Sequence, residues 1–242
     1  MFIKVSIDAS GGDFGLPVTI NAGINALKIY DDLLVNFVGD QTGIEKELNN
    51  NSLYSKFTSR IVITHASEVI NMDDSPSVAL RHKKDSSMRV AINLVKNGEA
   101  DACVSAGNTG ALMSIARFVL KTISGVDRPA IMSAVPTLNG PTHVLDLGAN
   151  IDSKPSTLLQ FAIMGSIAVQ NTENIDRPSV GLLNVGTEEL KGNDKSQETS
   201  ELLKNSSLNY IGFVEGDDIY KGNVDVIAVS YTHLTLPTIY SV

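Results

Sequence analysis

The chain has 242 residues, 43% of them hydrophobic and 19% charged, enough to bury a sizeable core as one large α/β domain or two small ones and too apolar for disorder. Its formal net charge of −8 excludes nucleic-acid binding by bulk electrostatics, so any anionic partner has to be met by a local basic patch. One cysteine excludes an internal disulfide, no signal peptide is recognisable, and no apolar run approaches the ~18 residues of a membrane span. A cytoplasmic protein is expected.

Residues 2–8 (FIKVSID) read as a first strand that delivers Asp8 to a glycine-rich turn, Ala9-Ser10-Gly11-Gly12-Asp13. Pro17 suits the first turn of the helix that follows, with Ile20, Ile24 and Leu27 on its buried face. Residues 33–39 form a second strand, Asp40 or Thr42 can cap a short polar helix, and residues 61–64 form a third strand. Ser75 caps one helix and Asp85-Ser86-Ser87 the next, whose buried face is Met88, Ala91, Ile92 and Val95. Between the two caps, Arg81-His82-Lys83-Lys84 is the strongest basic run in an acidic chain.

Residues 100–123 (ADACVSAGNTGALMSIARFVLKTI) are the stretch with the most chemical content. A short apolar strand over 102–105, which buries Cys103, empties through Gly107-Asn108-Thr109-Gly110 into a helix with Leu112, Ile115, Ala116, Val119, Leu120 and Ile123 on one stripe. Such a turn points free N–H groups and the positive end of the helix dipole at one spot, suited to phosphate. An ordinary βα loop capped by Asn108 or Thr109 has the same spacing.

Two more strands, over 129–135 and 142–147, flank the turn at Asn139-Gly140-Pro141, and the second runs into Asp146-Leu147-Gly148-Ala149-Asn150. A helix follows over 154–170. The strand at 180–183 leads into a loop carrying Asn184, Gly186, Glu188, Lys191 and Asn193. A polar helix over 196–204 and strands near 211–214 and 224–229 complete the pattern. Alternation of short apolar strands with amphipathic helices predicts βαβ units and a mostly parallel sheet. Polar loops at the carboxyl ends of such strands are where ligands sit in open α/β sheets.

No G-x-G-x-x-G follows a strand, and Gly181 to Gly186 has Walker-A spacing without its lysine. The four histidines, at 65, 82, 143 and 233, have no metal-ligand spacing, and there is no G-x-S-x-G elbow. Chemistry is therefore expected from positioned charges rather than from a protein nucleophile, with no cofactor and no metal.

IDASGGDFGLP (7–17), ASEVINMDDSPSVALRHKKDSSMRVA (66–91), ADACVSAGNTGALMSIARF (100–118), DRPAIMSAVPT (127–137), LDLGAN (145–150) and VGLLNVGTEELKGN (180–193) together resemble one family. It is the bacterial phosphate acyltransferases of phospholipid synthesis, acyl-carrier-protein:phosphate acyltransferases. Ser10 stands where Met is common, and His82 lies in a run usually rich in Lys. The resemblance implies a three-layer α/β/α sandwich with a mostly parallel sheet, similar to phosphotransacetylases and isopropylmalate dehydrogenases. It also implies a cytoplasmic homodimer, peripherally associated with the membrane and able to contact the downstream glycerol-3-phosphate acyltransferase. The implied reaction moves a fatty acyl group from acyl carrier protein to inorganic phosphate.

With that reaction, phosphate is itself the nucleophile. Ser105, Gly107, Asn108, Thr109 and Gly110 would hold it, and Arg128 or Lys191 would neutralise its charge. Asn150, Asn184 or Asn193 would donate to the thioester oxyanion, with Asp146 or Glu188 orienting the set. Arg81, Lys83 and Lys84 would meet the acidic carrier protein. A dehydrogenase on a related fold and a non-catalytic binder of acyl carrier protein are the alternative readings.

The resemblance stops beyond Ser230. Residues 231–242, YTHLTLPTIYSV, contain no Asp, Glu, Lys or Arg and carry Pro237, which would break a strand in a sheet interior. The expectation is a family domain over 1–230, incomplete at its C-terminus, followed by a non-native tail from read-through that lowers solubility and activity.

Overall fold

The computed structural model describes residues 2–148, 150, 153–186 and 193–229. The chain divides into two compact units, residues 1–122 and 123–242. The strands form two sheets, one in each unit, where the sequence pattern suggested a single sheet.

The first unit is built on four parallel strands, β1 (Ile3–Asp8), β2 (Leu33–Gly39), β3 (Ile61–His65) and β4 (Ala102–Ser105), in the order β3-β2-β1-β4. Side chains of a strand alternate between faces, and β1 uses this to serve two different helix layers. Ile7 joins the core formed by Val35 and Phe37 of β2 with Ile20, Ile24 and Leu27 of α1 (Leu16–Ile29) and Ile44 and Leu48 of α2 (Gln41–Asn50). A short helix, α3 (Tyr54–Phe57), packs its Phe57 against the same core. Ser6 points the other way and donates to the Ala91 carbonyl of α5 (Ser87–Lys96) at 2.9 Å. On that face Met88 and Ile92 of α5 pack with Ala79 of α4 (Pro76–His82) and with Ala111, Ile115 and Val119 of α6 (Thr109–Leu120). Helices on both faces of a parallel sheet make this unit a three-layer α/β/α sandwich, the class expected from the sequence.

Three details differ from the sequence pattern. In α5, Leu94 is buried and Val95 is only partly so. The apolar stripe of α6 is centred on Ala111, Ile115 and Val119, while Leu120 and Ile123 are 43% and 76% exposed. The helix has already stopped at Lys121, whose φ of 68° ends the 3.6-residue repeat before Ile123.

Among the described residues, the second unit holds five strands in the order β5-β6-β9-β7-β8. β5 (Met132–Thr137) and β6 (Gly140–Leu145) form an antiparallel hairpin, and β7 (Ser179–Leu183), β8 (Asn209–Val214) and β9 (Val226–Ala228) join β6 in parallel. Leu158, Phe161, Ala162 and Val169 of α7 (Pro155–Thr172) and Leu203 of α8 (Asp194–Lys204) cover one face of Leu145, Val180, Leu182, Val226 and Ala228. The opposite face, including Val144, Leu183, Val214 and Ile227, is covered by Ile219 of a 3-10 turn (Asp218–Tyr220) and by Val224. Full burial of a side chain such as Phe161 contributes about 1.5–3 kcal/mol. Among the described residues no helix is long and apolar enough to cross a membrane.

Candidate functional site

In the first unit the direction of sheet growth reverses between β1 and β4. The chain moves outward from β1 through β2 to β3, then returns by way of α4 and α5 to add β4 on the other side of β1. Ligands in open parallel sheets sit beyond the carboxyl ends of the strands at such a reversal. The last residues of the two strands, Asp8 and Ser105, are in register there.

Asp8 is 1% exposed, so its carboxylate has to be satisfied internally. It accepts the Ser87 hydroxyl at 2.5 Å and the Ser105 hydroxyl at 2.7 Å. Burial pushes the Asp8 carboxyl above its usual range, opposed by the hydrogen bonds from Ser105, Ser87 and the Gly11 amide. Ser105 Oγ in turn accepts the Gly107 N–H at 3.0 Å. The turns close tightly around this carboxylate: a Cβ on Gly11 would lie 2.5 Å from Asp8 Oδ2 and 3.1 Å from the Gly107 nitrogen, and one on Gly107 would lie 3.0 Å from Met88 Cε. Glycine at both positions is what permits the approach.

Asn108 is the N-cap of α6, its Oδ1 accepting from the Ala111 N–H at 2.9 Å. Its Nδ2 donates to the carbonyls of Met72 and Asp74, each at 2.9 Å, and of Asn71 at 3.4 Å. Ser105, Gly107 and Asn108, all expected to hold phosphate, are turned inward instead: the two side chains face the protein, and buried Gly107 gives its N–H to Ser105 Oγ. Thr109 and Gly110 are exposed in the first turn of the helix, where N–H groups have no intrahelical partner. The groups left facing outward for an anion are those N–H groups and the Thr109 hydroxyl.

The basic run divides. Arg81 and Lys84 are exposed, whereas the Lys83 ammonium contacts Asp74 Oδ2 at 2.5 Å and the Val69 carbonyl at 2.7 Å. Lys83 is committed within the unit and is not part of an open patch.

The second unit carries the other candidates. Asp146 is 1% exposed. Its Oδ2 accepts the backbone N–H of Asn150 at 2.8 Å and the Asn150 side-chain amide at 2.7 Å, and its Oδ1 accepts the Ile131 N–H at 3.0 Å. Asn150 also donates to the Pro129 carbonyl at 3.1 Å. Asp146 thus holds Asn150 and the start of β5 together. Asn184, 4% exposed, donates to the Gly186 carbonyl at 3.2 Å. Asn193 is the N-cap of α8, its Oδ1 accepting from Ser196 N at 2.9 Å and Ser196 Oγ at 3.0 Å. Arg128 is exposed ahead of β5. Glu188, Lys191 and the tail 231–242 lie outside the described residues. Among the described residues no cluster of three or more His, Cys, Asp and Glu could hold a metal ion.

A protein-family model described as "Fatty acid synthesis protein" matches residues 3–231. The chain is 64% identical over 227 residues to the phosphate acyltransferase of Ruthia magnifica subsp. Calyptogena magnifica, covering 94% of this chain and 67% of that protein. It is 52% identical over 229 residues to the phosphate acyltransferase of Hydrogenovibrio crunogenus, with coverage again 94% and 67%. The chain belongs to the phosphate acyltransferase family. Among solved structures, EutD phosphotransacetylase from Staphylococcus aureus is similar at a TM-score of 0.63 and 18% identity, covering 95% of this chain and 78% of that one. A 4-hydroxythreonine-4-phosphate dehydrogenase from Burkholderia phymatum is similar at a TM-score of 0.54 and 16% identity, covering 95% and 80%. At these identities the likeness is one of fold.

Within this family member, sequence spacing missed Ser87 and the Asp74–Lys83 pair. The caps at Ser75 and Ser86 were legible, but nothing local says that Ser87 reaches a strand 79 residues earlier. Cys103, expected to be buried, is partly so. Burial pushes its thiol up to about 11, with the Asp8 charge adding to the effect and Ser6 opposing it. At pH 8 its thiolate fraction is on the order of a hundredfold below that of a cysteine with an ordinary pKa of about 8.5. Iodoacetamide should label native Cys103 at least that much more slowly than the urea-unfolded chain, followed by mass spectrometry. Equal rates would place the thiol in an open, activated environment.

Proposed function

We propose that the protein transfers a fatty acyl group from the thioester of acyl carrier protein to inorganic phosphate, with phosphate bound at the start of α6, at Thr109 and Gly110, and acting as the nucleophile. A phosphate oxygen attacks the thioester carbon, the C–S bond breaks, and the products are acyl-phosphate and the carrier thiol. Family membership supports the reaction class. The observation that carries the site is the outward-facing start of α6 at the sheet reversal, with Thr109 and Gly110 exposed. The absence of protein acylation fits the neighbours of that turn, since the Ser105 hydroxyl is committed to Asp8 and the Cys103 thiol is held protonated by burial.

In the second unit, Asn150 spends both side-chain N–H groups on Asp146 Oδ2 and the Pro129 carbonyl, so the thioester oxyanion is not assigned to it. Arg81 and Lys84, exposed in the first unit, meet the acidic carrier in this reading. The reading includes a homodimer at the cytoplasmic membrane surface, delivering acyl-phosphate to a glycerol-3-phosphate acyltransferase.

Thr109→Val tests the site, because it keeps the shape of the side chain and removes its hydroxyl. A lost hydrogen bond to a charged group costs about 1.5–3 kcal/mol, roughly ten- to a hundredfold in affinity. The phosphate KM should rise by that factor while the KM for acyl carrier thioester stays at the parental value. An unchanged phosphate KM would move the anion site elsewhere.

A further inference from the structure

The turn at 71–74 carries two acids, Asp73 and Asp74, and lies directly against the start of α6 through Asn108. Asp74 Oδ2 closes that turn by accepting the Asn71 N–H at 2.7 Å. The same oxygen receives the Lys83 ammonium, which also donates to the Val69 carbonyl at the turn's entry. One continuous path therefore leads from Lys83 to Asp74, through the carbonyls of 71–74 to the Asn108 amide, and from Asn108 Oδ1 to the first turn of α6.

Charge gives this path a second consequence. Lys83, with the Asn71 amide next, holds the Asp74 carboxyl below its usual range, so the acid is ionised at neutral pH. A carboxylate beside a helix N-terminus is stabilised by the same dipole and free N–H groups that would hold phosphate. Left unpaired, Asp74 would put a negative charge on the segment to which Asn108 is fastened, and that charge repels an anion approaching the end of α6.

We infer that Lys83 is a positioning residue for the phosphate turn, anchoring Asp74 in the segment on which Asn108 is fastened and cancelling its charge so that α6 presents its N-terminus to an external anion. This rests on the reading of the start of α6 as the phosphate site. It removes Lys83 from the carrier-docking set, leaving Arg81 and Lys84 there.

The test is equilibrium dialysis of inorganic phosphate against the 242-residue chain. Lys83→Met should raise the phosphate Kd about tenfold or more, the scale of one charge-assisted contact. The double variant Lys83→Met/Asp74→Asn should return to within about threefold of the parent, because a side-chain amide at position 74 can still accept from Asn71 while carrying no charge. A purely structural lysine would show no such recovery, so a weak single variant with an equally weak double overturns the inference. An unchanged Kd for Lys83→Met beside a raised Kd for Thr109→Val overturns it too and leaves the phosphate site standing. No phosphate binding by the parent, or none of the variants shifting it, overturns both. Should Lys83→Met fail to fold, the double variant decides alone: parental binding supports the inference, and tenfold weaker binding refutes it.

Discussion

Withholding inorganic phosphate should stop the release of carrier thiol from acyl carrier thioester, down to the uncatalysed background. The expectation follows from what surrounds the turn after β4. A phosphate-independent route needs a protein nucleophile or an activated water. Cys103 is the only thiol, and burial raises it to about 11. Ser105 already donates to Asp8 and accepts from Gly107, so its hydroxyl is spent inside the unit and no outward-facing serine nucleophile is built there. Phosphate brings its own negative oxygen and needs only to be oriented and to have its charge met. The measurement is thiol release against phosphate concentration, with mass spectrometry of the protein alongside. Equal rates with and without phosphate, or a stable acyl-enzyme, would end the mechanism.

Asp8→Ala should have the largest effect of any single substitution in the first unit. It removes the acceptor of two hydroxyls at a site that is 1% exposed, leaving Ser87 and Ser105 unsatisfied and Ser105 free to release the Gly107 amide. Each hydrogen bond to a charged group is worth about 1.5–3 kcal/mol, while removing a buried charge returns part of its desolvation cost. A net loss of about 2–4 kcal/mol is expected in urea unfolding, a large share of a typical stability of about 5–15 kcal/mol. Phosphate binding should weaken with it, since the turn loses its attachment to β1. Because burial raises the Asp8 carboxyl in the folded state, its ionisation costs stability above that raised value. The cost fades as pH falls through the window towards the ordinary value of 3.8 and is absent below it. Parental stability should therefore gain on that of Asp8→Asn as pH falls through this window. An Asp8→Ala protein with the parental urea midpoint and phosphate affinity would show that the carboxylate organises nothing.

Most elements are legible in the sequence, and their caps are narrowed to Asp40 or Thr42, Ser75, the run 85–87, and Asn108 or Thr109. Residues 33–39 and 102–105 form strands with those bounds, and Asp40, Ser75, Ser86 and Asn108 cap the helices that follow them. These features are legible because a cap bonds to an N–H three residues away and an apolar face repeats every few residues, so the cause lies inside the segment. The acidic, glycine-rich and amide-bearing loops were visible for the same reason.

What those loops' side chains do depends on partners far away in the chain. The second end of the Asn108 amide binds carbonyls 34 to 37 residues earlier, and Ser105 reaches a carboxylate 97 residues earlier. Lys83, one member of a basic run in sequence, is drawn inward by Asp74, while its neighbours Arg81 and Lys84 stay exposed. In each case the deciding partner is placed by which strands become neighbours and where a helix begins in space. Burial then makes most polar groups find a partner among whatever that packing brings near, and spacing along the chain carries no record of it.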